Sequence, residues 1–154
     1  MKTRNILLTL ALCLVGISVA FADDANMGTW KLNEAKSMIP AGATKNTSVV
    51  YEAAGDNVKV TVDGTDKDGK ATHNEWTGKF DGKDYPVTGD ANVDSRSYER
   101  VDAHRLKLTG KKDGKVVNTG HVVVSADGKT RTVKTIATDA SGKKLKSKGV
   151  YDKQ

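Results

Sequence analysis

Apolar and polar positions alternate with a period of two along most of this chain. Val58, Val60 and Val62 are separated by Lys59 and Thr61, and Leu106 is separated from Leu108 by Lys107. Alternation sends successive side chains to opposite faces of an extended strand, giving one apolar and one polar face. Turn signals punctuate the pattern. Asp-Gly recurs at Asp63-Gly64, Asp68-Gly69, Asp81-Gly82, Asp113-Gly114 and Asp127-Gly128, and Ser141-Gly142 plays the same part. Such pairs favour the positive φ that tight hairpin turns need. The pattern predicts ten strands, at residues 28–33, 47–53, 57–63, 71–80, 84–87, 96–102, 105–110, 116–125, 130–138 and 144–151. Residues 34–39 predict one helical turn, which Pro40 ends, and 41–46 a loop.

Short strands joined by tight turns make an antiparallel up-and-down meander. Its two edges must be covered or must close on each other. The predicted fold is therefore all-β, a barrel of about 8–10 strands whose first and last strands pair. A two-sheet sandwich is the alternative, but it needs longer crossing connections than these hairpins provide.

The first residues follow different rules. Lys2 and Arg4 precede an apolar run from Ile6 to Ala20, and Ala20-Phe21-Ala22 has the small-x-small form of a cleavage site. That is the layout of a secretory signal peptide, and the run is shorter than the ~20 residues a membrane-spanning helix needs. The expected domains are residues 1–22, removed on export, and 23–154, a single barrel in the periplasm or outside the cell. The one cysteine, Cys13, leaves with the leader, so packing and strand pairing must hold the mature domain without disulfides.

Gly28-Thr29-Trp30 opens the first predicted strand and resembles the Gly-x-Trp that opens lipocalin barrels. The longer Gly28-Thr29-Trp30-Lys31-Leu32-Asn33, with Ala35-Lys36-Ser37 after it and Val150-Tyr151-Asp152-Lys153 at the end, resembles a group of small secreted bacterial lipocalin-like (calycin-type) proteins. The likeness covers most of the mature chain. It departs from lipocalins in having no helix after the barrel, and from fatty-acid-binding proteins because residues 34–46 are too short for a two-helix lid. What the resemblance implies is a barrel with one open or lightly covered mouth, and structural roles for Gly28 and Trp30. In lipocalins such a tryptophan plugs one barrel end and packs on an arginine, a part open here to Arg131 or Arg105.

Charge adds an asymmetry. Removal of the leader leaves 23 basic and 19 acidic residues, a net charge of +4, but residues 23–103 carry −5 and residues 104–154 carry +9. Lys143, Lys144, Lys146 and Lys148 stripe the last strand, while Lys111, Lys112 and Lys115 surround a turn. Outward lysines ordinarily guard sheets against edge-to-edge association. They also attract an anionic envelope surface. Nucleic acid is not an expected partner, because no aromatic residues interleave the basic strip.

Aromatic residues make up only 5% of the chain, and many inward candidates are Val or Thr, so a wide barrel would keep a cavity unless it flattens. Trp76, Phe80, Tyr85 and Tyr98 are the candidate lining. Arg96, Tyr98 and Arg100 share a strand face, and in the lumen that row would grip a carboxylate or phosphate. The ordinary reading, which we favour, puts Arg96 and Arg100 on the solvent face with Tyr98 covering an edge. His73, His104 and His121 fall on three different predicted strands without metal-ligand spacing. Asp66-x-Asp68-Gly69 reads as a hairpin loop rather than a calcium loop. There is no Gly-x-Ser-x-Gly. The sequence thus predicts no catalytic site, metal or cofactor. It predicts a binding protein taking a small apolar or amphipathic ligand in its barrel. The alternative is an envelope-associated protein acting through its basic outer face.

Overall fold

The structure is a computed structural model, and it describes residues 24–154; the predicted leader lies outside the described residues. Ten strands follow one another: β1 (Gly28–Leu32), β2 (Lys45–Ala54), β3 (Asn57–Thr65), β4 (Ala71–Gly78), β5 (Tyr85–Thr88), β6 (Ser95–Arg100), β7 (Arg105–Lys112), β8 (Lys115–Val124), β9 (Thr130–Thr138) and β10 (Lys144–Lys153). Each pairs antiparallel with its chain neighbours, and β1 also pairs with β10, Leu32 opposite Tyr151, so the sheet closes on itself. The predicted all-β meander and its closure are therefore present. All ten predicted strands are found, with ends shifted by a few residues.

Three local expectations need correction. Asp63-Gly64 is not a turn but the end of β3. A Cβ on Gly64 would lie 2.2 Å from the Lys45 carbonyl oxygen, across from a bulge between Asn46 and Ser48. Glycine is needed there for close backbone approach, not for turn geometry. The helical turn is only a short 3₁₀ segment, Glu34–Lys36, capped by the Asn33 side chain on the Lys36 N–H. Met38 then pairs with Lys148 and extends the β1 edge along β10. His104 lies in the turn before β7 rather than on a strand. The remaining Asp-Gly signals and Ser141-Gly142 do supply glycines at positive φ in connections; at Asp113-Gly114 both residues have positive φ, as a two-residue hairpin turn requires.

The two barrel ends differ. At one end Trp30, Val60, Trp76, Leu106 and Val122 are almost wholly buried. The segment before β1 crosses this end. The Asn26 carbonyl accepts from the Trp30 indole at 2.9 Å, and Asp24 is ion-paired with Arg100. At the other end the inward positions of β7–β10 are small or half-buried. The register aligns Leu108, Gly120, Thr135 and Ser147 in one row, and Gly110, Asn118, Ala137 and Leu145 in the next. One end is thus sealed by aromatic rings, and the other has a lean, partly polar mouth.

Candidate functional site

Alternation sends Tyr51, Trp76 and Tyr98 inward from β2, β4 and β6, while Phe80 and Tyr85 arrive from the β4–β5 connection and β5. Trp76 is the hub. Tyr98 meets it edge-on at 4.9 Å between centroids, Tyr85 at 5.7 Å, and Phe80 stacks nearly parallel at 6.3 Å. The Trp76 indole N–H donates to the Arg96 carbonyl at 2.8 Å. Edge and offset contacts at these distances suit the ring quadrupoles. The four predicted lining aromatics therefore converge, but on one another. They form the floor of the barrel rather than the wall of an empty chamber.

Arg96 and Tyr98 are buried in the interior, against the solvent-face reading, whereas Arg100, in the same phase along β6, ends exposed at the barrel rim. The cause is the register: Tyr98 pairs with Leu108 and Arg100 with Leu106, both inward positions of β7. Arg96 is buried. It donates to the Asn74 side-chain oxygen at 3.3 Å and lies 3.8 Å from Asp90. Arg100, at the sealed end, lies over the Phe80 ring at 5.1 Å and pairs with Asp24. Burial works to raise the Asp24 carboxyl, but hydrogen bonds from Arg100 and from the Asn26 backbone and side chain outweigh it and hold it below the ordinary carboxylate range. Phe80 and Arg100 also border a cleft of about 270 Å³ at this end, opposite Asp56. The row is thus split between two environments and does not converge on one anion.

A third arginine occupies the lumen. Arg131 is only 3% exposed, and its guanidinium carbon lies 4.6 Å from the Tyr51 ring centroid, 5.7 Å from that of Tyr151 and 5.8 Å from that of Trp30. Its Nη2 donates to the Tyr51 hydroxyl at 3.0 Å. Its Nε and Nη1 are buried with no hydrogen-bond partner, and no carboxylate pairs with it among the described residues. Burial pushes the Tyr51 hydroxyl well above its ordinary value and raises that of Tyr151, so neither neutralises the cation at physiological pH. Arg131 is the predicted partner of Trp30. Arg105 is not: it is exposed and pairs with Asp102 at 2.5 Å.

Tyr51 and Tyr151 were not singled out by the sequence. The available signal was phase: Arg131 alternates in step with inward Val133, which marks it as a charge on a luminal face. The histidines stay apart. His73 bonds Asp63 at 2.7 Å on the outer surface, and His121 borders a trough of about 430 Å³ on the outer wall of β8–β10. Asp66 accepts the backbone N–H groups of Asp68 and Lys70, as a hairpin loop does. No protein-family model matches the chain, and no curated protein matches it.

Proposed function

We propose that the protein is a non-catalytic carrier, exported to the periplasm or medium, whose barrel takes one small amphipathic anion. The acid group of the ligand meets Arg131, and its apolar body runs toward the mouth along Leu108, Val133 and Leu145. The observation that carries this reading is the buried, carboxylate-free guanidinium of Arg131, whose Nε and Nη1 have no hydrogen-bond partner. A charge taken out of water without a counter-charge is destabilising by several kcal/mol. A planar fork of donors suits a carboxylate. Access is supported by the half-buried mouth, where Leu108, Val133, Leu145 and the small Ser147 are only partly covered. Aromatic floor, placed cation and open top together match the usual make-up of small-ligand sites.

Dodecanoate and dodecanol test this, titrated separately into the mature protein and followed by the fluorescence of Trp30 and Trp76. Dodecanoate is expected to bind at least tenfold more tightly, and Arg131→Met is expected to erase the difference while the protein stays folded. Equal affinities in the unaltered protein, or a preference that survives Arg131→Met, would reject the reading.

A further inference from the structure

The outer wall of β8, β9 and β10 is chemically unlike the rest of the barrel. Elsewhere several lysines are matched: Lys59 with Glu75 at 2.7 Å, Lys107 with Glu99 at 3.4 Å, Lys111 with Asp84 at 2.5 Å. Among the described residues, no ion pair involves β8, β9 or β10. The register concentrates their cations. Lys148 stands between Met38 and Lys134, and Lys134 is flanked in turn by His121. One row along, Lys146 sits beside Ile136.

Two of these residues are apolar and exposed. Met38 is 71% and Ile136 41% accessible. Met38 is not a loose tip, since its backbone exchanges hydrogen bonds of 2.7 and 2.8 Å with Lys148. Met38, Ile136 and the lysine stems enclose the 430 Å³ trough, so an apolar floor lies inside a cationic rim. A protein partner fits poorly, because lysine is depleted at the dry centre of protein interfaces. A nucleic acid also fits poorly, since no Phe, Tyr or Trp lines the trough for base stacking and the one ring there is the His121 imidazole. An anionic bilayer matches both features at once. Its headgroup phosphates complement the lysines, and its upper acyl region accepts a methionine and an isoleucine.

We propose that this wall docks the barrel on an anionic phospholipid surface, with Lys134, Lys146 and Lys148 on headgroups and Met38 and Ile136 inserted between them. The inference does not depend on the luminal reading; each stands if the other falls.

The test is co-sedimentation of the mature protein with vesicles of phosphatidylcholine alone or mixed with phosphatidylglycerol, at low and high salt. Binding is expected only to the mixed vesicles and should fall at high salt. Each lysine near such a surface is worth roughly fivefold, so Lys134→Gln/Lys146→Gln/Lys148→Gln together should weaken binding on the order of 100-fold. Lys59→Gln/Lys67→Gln/Lys70→Gln removes the same charge from the opposite wall and should leave most of the binding intact. Met38→Ser/Ile136→Ser should weaken binding and leave its salt dependence in place. Equal losses for the two lysine triples would mean net charge alone acts and would overturn the proposal. So would absence of binding to phosphatidylglycerol, or binding of heparin but not vesicles, which would assign the wall to a soluble polyanion.

Discussion

Arg131 and Tyr51 hold each other twice: the guanidinium lies 4.6 Å from the tyrosine ring centroid and donates to its hydroxyl at 3.0 Å. The pair explains how a barrel with few aromatic residues keeps a cation in its interior. Ring faces of Tyr51, Trp30 and Tyr151 supply the negative quadrupole that a carboxylate would otherwise supply. They leave two guanidinium nitrogens, Nε and Nη1, without a hydrogen-bond partner, and those define the site.

A stability consequence follows for the pair. Tyr51→Phe removes the one hydrogen bond Arg131 makes and leaves a third donor unsatisfied, so it should cost about 1–3 kcal/mol in urea unfolding. Arg131→Met should cost much less or stabilise the ligand-free protein, because a buried charge without a partner is replaced by an apolar chain. The order of the two midpoints is the check: Arg131→Met less harmful than Tyr51→Phe.

The sealed end makes a second prediction. Trp30 is fully buried and donates to the Asn26 carbonyl. Trp30→Ala should destabilise by roughly 3–5 kcal/mol, from lost burial and the cavity left behind. Trp30→Phe should cost less but still more than 1 kcal/mol, because the Asn26 carbonyl loses its donor. Thermal unfolding of the two variants separates the packing from the hydrogen bond.

Acid should loosen the same end. The Asp24 carboxyl is held below its unfolded value near ~3.9, so its pairing with Arg100 stabilises the fold above that pH and is lost as pH falls through the lower folded value. Arg100 is part-exposed, which limits the effect to about 1 kcal/mol. Asp24→Asn should show lower stability at neutral pH and a flatter stability profile below about pH 4 than the unaltered protein. Identical profiles would remove Asp24 from the account.

The architecture was legible in the sequence because alternation and Asp-Gly turns are local signals. What failed was non-local. Asp63-Gly64 reads as a turn until β2 is laid beside β3 and the Lys45 carbonyl is found against the glycine. Met38 reads as the end of a helical turn until its pairing with Lys148, 110 residues away, is known. The aromatic set Trp76, Phe80, Tyr85 and Tyr98 was identifiable from residue type, but its mutual stacking was not. Arg96 is buried, opposite to the favoured reading, since one residue of register decides the face of every side chain on a strand, while Arg100 at the rim stays exposed. Arg131 was visible only as a partner for Trp30; that it lacks a carboxylate is a property of the closed barrel.

The two glycine mechanisms give a further contrast. Gly64→Ala would press a Cβ into backbone and should cost more than 1 kcal/mol, whereas Gly55→Ala, at φ 62° with open space around it, should cost about 1 kcal/mol or less. Equal losses in chemical denaturation would deny the close β2–β3 approach.

The central claim is that the unused donors of Arg131 receive the acid group of a ligand. The most direct measurement is the side-chain Nε–H resonance of Arg131 in ¹⁵N-labelled mature protein, assigned by its disappearance in Arg131→Lys, during titration with dodecanoate and then with dodecanol. The account predicts a saturable downfield shift and slowed solvent exchange of that proton with dodecanoate and little change with dodecanol. An Arg131 resonance that stays fixed while dodecanoate saturates the protein would contradict it.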